Sequence, residues 1–392
     1  MTFRYFVAPI LTPGSPAGEL ELSTVSWDDP VGGTGGSFSG KAEVKQVGQT
    51  RDQLLFLTEP NGMALYVYDD VHATYLFGGP IKARPWSHDE RRLTVRAISW
   101  KSWLYQKLIT MSMATNPPTD TVWTFTGIDQ FVIARTLFTS SSPPGVSADY
   151  GVPVINMGVE LSGVLRDLTY QGSQFKFAAE LIDSMSTKDA GFDWVISVEP
   201  DNNRMPALWF RPSFPGRGVL NNQVLIFQSQ QQTGGNILSM EDPEDASDDM
   251  RTRVWATGAG SPPDQVVAFD EDPELVNDVS LLTCERVDNF SSVTSNSTLA
   301  SHARATRAYY GQPLQQVNIT VGLDDPDYTT YGTGDKVRLL VQDEWIDWDF
   351  NAVRIVNRQF NVDNQGSSPA PDSIKLTFDL NDNELPEDEA AV

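Results

Sequence analysis

The chain has 392 residues, with 28 Lys+Arg against 52 Asp+Glu and a formal charge of −24; at roughly 150 residues per domain, two to four domains are expected. One cysteine, Cys284, excludes an intrachain disulfide framework. The charge argues against general binding to DNA, RNA or anionic lipid, which rests on clustered Lys and Arg, and no apolar run reaches the ~20 residues that span a bilayer.

Met1 to Pro13 has one Arg, a short apolar patch and prolines, which is not the plan of a signal peptide, so folding in a cytosol is expected. Gly32 to Gly36 reads as a Gly-rich turn. Ala64–Tyr68 is a strand, Asp69-Asp70 an acidic turn, and Thr74–Phe77 a returning strand, with Ile81–Arg84 and Leu93–Ile98 as two more. In the last of these, Leu93, Val95 and Ala97 alternate with polar residues, the period of a half-buried strand. Asn116–Thr119 and Ser140–Gly145 are Pro/Ser loops. Between them, Thr126 and Asp129 resemble a capping box ahead of a helix carrying Phe131, Ala134 and Phe138.

Leu161, Val164, Leu165 and Leu168 stand at i, i+3, i+4 and i+7, which predicts a helix stopped by Gly172. Ala178, Leu181, Ile182 and Met185 repeat the spacing and predict a second. Trp194, Ile196 and Val198 then alternate as a strand. Residues 241 to 275 carry two acidic bursts, Glu241 to Asp249 and Asp270 to Glu274, and read as solvated loops. Ser297–Tyr310 is Ala-rich, with Arg304 and Arg307 towards its end and Gly311 and Pro313 beyond, as a helix C-terminus prefers. Strands follow at Val317–Val321, Lys336–Val341, Trp345–Trp348, Val353–Asn357 and Ile374–Leu380, with an acidic turn at Asp343-Glu344. Glu384–Val392 reads as a disordered acidic tail.

The fold class is therefore mostly β with some α (α+β). One relation ties the two ends together. Strand, acidic turn, strand, strand, strand occurs at residues 64–98 and again at 336–380, as a duplication or simply as two β-meanders. The expected division is an N-terminal β unit (1–110), a central α/β region (111–235), an acidic loop and helix region (236–315), a C-terminal β unit (316–381) and the tail (382–392).

Catalytic motifs are sparse. Gly35 to Lys41 fits G-x-x-x-x-G-K, but Ala42 stands where a P-loop needs Ser or Thr, and residues 42–47 alternate like a strand. His72, His88 and His302 have no His at i+4, so no zinc helix is formed. Cys284 has no neighbouring His or Cys, and G-x-S-x-G is absent. Asp324, Asp325, Asp327 and Asp335 cluster around Gly332 and Gly334 without EF-hand spacing. Asp343, Glu344, Asp347 and Asp349 surround Trp345 and Trp348, the residue types of a glycoside hydrolase or a sugar-binding platform. The same pattern suits a strand pair with one polar and one packing face. No catalytic, cofactor-binding or metal residue is assigned.

The order of segments resembles the tail-tip (baseplate) hub proteins of long-tailed bacteriophages, often called minor tail proteins in phages of actinobacteria. Leu20 to Trp27 with the turn to Gly36 is similar to that family's opening strand. Ala64 to Trp103 is similar to its strand, acidic turn and strand unit. Ser162 to Tyr170, then Gly191-Phe-Asp-Trp-Val-Ile-Ser197, resemble its centre. Thr333 to Leu340, Val353 to Val356 and Ile374 to Phe378 resemble its end. The resemblance covers about residues 18 to 381. It implies a non-enzymatic structural protein of the virion tail tip, assembled in the host cytoplasm, without cofactor or metal. It implies a multi-domain chain of two β-barrel-like tube units with inserted α/β segments, and a homotrimeric ring that sits under the tail tube, passes DNA and joins six-fold to three-fold symmetry. The implied partners are the distal tail protein, the tape-measure protein and other minor tail proteins or fibres, with neither specific nucleic-acid binding nor a membrane anchor. Some members carry a C-terminal lysozyme or peptidase, and none is expected in a chain ending at Val392. Part of the negative charge is expected to line the channel. A carbohydrate- or receptor-binding module and a wall glycoside hydrolase are the alternatives.

Overall fold

The computed structural model describes residues 3–43, 50–108, 122–138, 154–186, 190–229, 235–241, 244–246, 250–261, 263–271, 273, 283–290, 293–311, 314–342, 346–363 and 372–380. The expected loops at 116–119 and 140–145, the turn Asp343-Glu344 with Trp345, and the tail all lie outside these residues.

The first β set contains β1 (Phe3–Pro9), β2 (Gly18–Leu20), β3 (Ser23–Pro30), β4 (Ser37–Glu43), α1 (Arg51–Leu57), β5 (Met63–Asp69), β6 (Thr74–Ala83), β7 (Trp86–Ser87) and β8 (Arg92–Ile98). The central region follows with α2 (Trp100–Leu104), β9 (Val122–Asp129), α3 (Gln130–Thr136), β10 (Ile155–Met157), β11 (Leu165–Gln171), α4 (Ala178–Ser186), β12 (Asp193–Pro200) and β13 (Pro206–Ser213). The second set opens with β14 (Ile226–Gln228), β15 (Ile237–Met240) and β16 (Glu244–Ala246). A subdomain of β17 (Arg253–Thr257), β18 (Val267–Glu271), β19 (Glu285–Asn289) and α5 (Asn296–Tyr310) interrupts it. It resumes with β20 (Leu314–Gly322), β21 (Lys336–Gln342), β22 (Asp347–Val362) and β23 (Ser373–Asp379).

The expected mostly-β α+β class is what the chain adopts. The two barrel-like units expected are not separate closed barrels among the described residues: the β units at the two ends share one open 15-stranded sheet, ordered β15-β20-β23-β22-β3-β4-β8-β6-β5-β1-β2. Alternation explains the strands. In β8, Leu93, Val95 and Ala97 are buried while Arg96 is exposed, and in β23 Ile374, Leu376 and Phe378 are wholly buried. Both sets feed one apolar core that runs from Phe3 to Leu380. A second core fills the central region around Trp100, Phe131, Ile182, Trp194 and Phe210. A small third core of Ala256, Ala268, Leu299 and Ala303 holds α5 on its sheet.

Several readings of the sequence are corrected. Thr74–Phe77 and Ile81–Arg84 are not two strands: β6 runs unbroken through Gly78, Gly79 and Pro80. A Cβ on Gly79 would stand 1.8 Å from the Ile98 carbonyl oxygen, so the glycine marks a close backbone approach, not a break. Likewise β22 is one 16-residue strand where two were expected. The helix predicted from Leu161 to Leu168 is absent. Ser162–Val164 form a turn in which Gly163 is left-handed, and β11 pairs antiparallel with β9. Leu161 and Leu165 are both more than 60 % exposed, so the helical spacing had no core to face. The ladder, and Tyr170 stacked on Trp123 at 4.9 Å, prevail over propensity. Gly172 enters a 3-10 turn instead of ending a helix.

At α3 the N-cap is Asp129 alone, whose Oδ1 accepts from the Phe131 N–H at 2.8 Å; Thr126 lies within β9. The acidic stretch 241–275 is in part sheet. β16 pairs with β20, and Asp270 and Glu271 close β18 while pairing with Arg307 and Arg253. A ladder uses only main-chain groups, so carboxylates on its outer face do not oppose it. The helices expected over 178–185 and 297–310 are α4 and α5.

Candidate functional site

The two β sets match strand for strand. β3, β4, β5, β6 and β8 correspond in chain order to β15–β16, β20, β21, β22 and β23, with the same neighbours and the same antiparallel senses. Residues 37–43 face 98–92 as residues 316–322 face 379–373. Ile81 and Ala83 face Ala97 and Arg96 across a register shift; Ile355 and Asn357 face Phe378 and Thr377 across the same shift. Trp86 and Ser87 face Leu93 and Arg92 as Phe360 and Asn361 face Ile374 and Ser373. A single offset of 274 thus carries 81, 83, 86 and 87 onto 355, 357, 360 and 361. A repeated bulge at one register position is a property of a duplicated unit, beyond what a generic meander requires.

The sets meet where β22 pairs with β3, Asn357–Val362 against Pro30–Val25. Three features hold this joint. Phe360 stacks on Trp27 with ring centroids 4.8 Å apart and planes 6° from parallel. Both rings are almost fully buried, each contributing ~1.5–3 kcal/mol of apolar burial. Arg358 donates to the Tyr328 and Tyr331 carbonyls at 3.2 and 2.6 Å and to Asp29 Oδ2 at 3.2 Å. Asp29 also accepts from Thr333 Oγ1 at 3.0 Å and faces Arg217 at 3.4 Å. Burial would raise the Asp29 carboxyl, but Arg217, Arg358 and Thr333 together hold it below the usual carboxylate range.

A second cross-link lies beside it. The Asp69 carboxylate, on the last residue of β5, accepts from the Tyr328 hydroxyl, from His72 Nδ1 at 2.5 Å and from the Val71 N–H at 2.8 Å. Burial pushes Asp69 up, and these donors bring it net below its ordinary value. Tyr328 is raised by burial and by the facing carboxylate. The central region is fixed to the joint by Asp193, which pairs with Arg354 and accepts from the Arg217 N–H at 2.7 Å. Lys101 donates to the Trp194 carbonyl at 3.3 Å under that residue's ring, and burial lowers its pKa. A cavity of about 150 Å³ among these groups is lined by Asp29, Lys101, Arg217 and Arg358.

The residues singled out for chemistry do not converge. Gly35 to Lys41 leads into β4, not a helix, so no helix terminus cradles a phosphate, and Lys41 pairs with Glu90. His72 belongs to the Asp69 cluster, His88 Nδ1 accepts from Trp86 Nε1, and His302 stacks on Phe290. Cys284 is half-buried. Asp327 caps the 3-10 turn Tyr328–Thr330, while Asp335 accepts from the Gly332 and Val219 N–H groups. Among the described residues no three His, Cys, Asp or Glu side chains come together to hold a metal. Asp349 is bound bidentately by Arg338 at 2.7–2.8 Å, which lowers its pKa, and Asp347 accepts from Gln342. Trp348 is half-buried against the core beside Phe350. Asp343, Glu344 and Trp345 lie outside the described residues.

Sequence reasoning overlooked Arg358 and Asp29, 329 residues apart. Their only sequence signal was an arginine in an otherwise alternating strand and an Asp pair closing another. It also overlooked the subdomain's outer face, where Phe269, Trp255 and Val287 stand side by side across three strands.

No family model matches the chain, and no curated protein sequence does. Solved structures do. The tail protein from Neisseria meningitidis MC58 superposes with a TM-score of 0.59 at 14 % identity, covering 97 % of both chains. The 43 kDa tail protein of prophage MuSo2 from Shewanella oneidensis gives 0.59 at 13 %, covering 97 % of this chain and 99 % of that one. The prophage tail protein gp18 from Listeria monocytogenes EGD-e gives 0.52 at 13 %, covering 96 % and 94 %. A chain of the Francisella PdpA-VgrG complex gives 0.52 at 10 %, and this protein spans 59 % of it. The chain has the fold of phage tail proteins, over its whole length.

Proposed function

We propose that this protein is a structural hub at the distal tip of a phage tail. Three copies form a ring that joins the six-fold tail tube to the three-fold tip and leaves a channel for DNA. The reading rests on the duplicated register: two equivalent β units per chain present six around a ring of three, which is what a six-fold neighbour requires of a three-fold one. Likeness to tail proteins over the full length supports the setting. The units are residues 3–98 and, around the inserted subdomain, 226–246 with 314–380; the central region bridges them. The neighbours are the distal tail protein, the end of the tape-measure protein, and other minor tail proteins or fibres.

The role is assembly, not catalysis. Of the described carboxylates put forward for hydrolysis, Asp349 is tied to Arg338 and Asp347 accepts from Gln342, while Trp348 packs inward, so the described residues form no facing pair around an open platform at β22.

Light scattering coupled to size exclusion tests the ring. The expected result is a species near three times 43.3 kDa as concentration rises. A chain that stays at 43.3 kDa up to about 100 µM overturns the reading, since obligate interfaces of standard size associate well below that.

A further inference from the structure

In each β unit the residues that follow the bulge have two sides. One side pairs with the last strand of the unit; in the second unit, the other side of β22 is covered by β3. In the first unit no described strand supplies that cover. β7 pairs only with β8, and β16 only with β20, among the described residues. These are the two positions that the joint's own partners, β22 and β3, occupy in the other copy of the unit.

The detail of the uncovered edge repeats the covered one. Val356 accepts from the Val31 N–H at 2.8 Å, so by alternation Arg358 and Phe360 turn their main chain to β3. On the first unit Pro85 accepts from the Thr94 N–H at 2.9 Å and faces β8. The proline's missing N–H therefore costs the open edge nothing. Arg84 and Trp86, the counterparts of Arg358 and Phe360, turn their main chain away from β8. Trp86 is 41 % exposed where Phe360 is 1 % exposed.

Arg84 also repeats the inward contacts of Arg358. It donates to the Leu55 carbonyl and to Thr58 Oγ1 (3.4 Å), and residues 55 and 58 lie one constant offset, 273, from Tyr328 and Tyr331. What Arg84 lacks, among the described contacts, is the carboxylate that Asp29 supplies to Arg358. The second unit carries that carboxylate. Ser26 faces Ser39 in β4; at the corresponding place the Glu241 N–H donates to Asn318 in β20. Glu244–Ala246 face 316–314, which places them at the positions of Asp28, Asp29 and Pro30. Asp245 is the counterpart of Asp29.

We infer that the edge Ala83–Ser87 of one copy pairs antiparallel with the β15–β16 edge of the next copy, which sets position 84 of one chain opposite the acidic position 245 of the next, as position 358 stands opposite position 29 within one chain. The occupant is a second copy of this chain, since the complementary edge is on the chain itself. Head-to-tail contacts of this kind close into a ring or grow into a filament, and three joints within chains alternating with three between them would close at six. Covering these edges also removes two templates for aggregation. The inference rests on the ring reading and adds its contact residues.

Charge reversal tests it, read by light scattering. Arg84→Glu and Asp245→Arg should each raise the dissociation constant of the trimer at least tenfold, and the double variant should recover most of that loss. A folded double variant that does not recover overturns the pair. Because Arg84 also braces Leu55 and Thr58, a second measurement avoids it. Ser87 and Glu241 correspond to Asn361 and Ser26, which face each other directly without exchanging main-chain bonds, the closer kind of pair. In a Cys284→Ser background, Ser87→Cys with Glu241→Cys should give interchain disulfides, seen as dimer and trimer bands on a non-reducing gel. A wild-type trimer that neither cross-links there nor responds to charge reversal overturns the joint and leaves the ring standing. A wild-type monomer at every concentration overturns both.

Discussion

The two β units share a register but not an environment, and the contrast shows what duplication leaves free. In the first unit the connection from β3 to β4 is the tight turn from Val31 to Gly36; in the second the matching connection, from β16 to β20, holds the whole β17–β19 and α5 subdomain. In the second unit the long strand is covered on both sides, and its aromatic, Phe360, lies flat on Trp27. In the first the matching residue, Trp86, is exposed. A ladder constrains the main chain and tolerates large changes at its turns and edges. The edge is therefore where two equivalent units differ most.

Equivalent substitutions on the two units should break that equivalence. Phe360→Ala removes a buried stacked ring and should cost about 3–5 kcal/mol in denaturant unfolding. Trp86→Ala should leave the unfolding of a dilute, monomeric sample nearly unchanged and instead weaken self-association. Equal losses at both positions would show that the Trp86 edge is covered within the chain.

Arg358→Ala strands Asp29 beside a lone Arg217 and frees two carbonyls, with an expected loss of about 3 kcal/mol. Arg84→Ala should cost less than half of that, because no carboxylate is left behind in the monomer. Equal losses would contradict the distinct surroundings of the two arginines.

Next in size is Asp69→Asn, which weakens the charge-assisted bonds from Tyr328 and His72 and should cost about 1–3 kcal/mol at neutral pH. The sign with pH follows from the lowered carboxyl. Its folded value lies below the ~3.9 of an unfolded Asp. Its contribution is complete above that value and disappears as pH falls through the folded one. Wild type should lose stability as pH falls below about 4 more steeply than Asp69→Asn. Parallel acid limbs would remove Asp69 from that account. The smallest effect belongs to Asp349→Asn: the pair with Arg338 is solvent-facing, and no resolvable change in melting temperature is expected. Loss of a wall-hydrolysing activity in that variant would restore the enzyme reading.

The strands were legible wherever one face meets the core. Period two at Leu93–Ala97, Trp194–Val198, Val317–Val321 and Ile374–Phe378 is a direct imprint of burial. The repeated order of the two units was visible too, though not its meaning. Leu161 to Leu168 misled because apolar residues at helical spacing need not be buried, and here Leu161 and Leu165 face solvent. Gly78 to Pro80 misled because a glycine can mark a close approach as readily as a stop. None of the motif fragments could be weighed on residue types alone: with 52 acidic side chains, clusters arise throughout the sequence, and only their partners show that Asp335, Asp349 and Asp327 are already engaged.

By itself the sequence determined the class of the fold, the position of most strands and three of the helices. Those depend on local periodicity, on caps and on which residues cannot remain in water. Tertiary structure alone decided that the two ends share a sheet, that Arg358 meets Asp29 across 329 residues, and that one unit's edge is covered on both sides while its twin's is paired, among the described residues, on one. Strand pairing joins main-chain groups common to every residue, so a one-dimensional pattern shows that a strand exists without showing which edge it will meet.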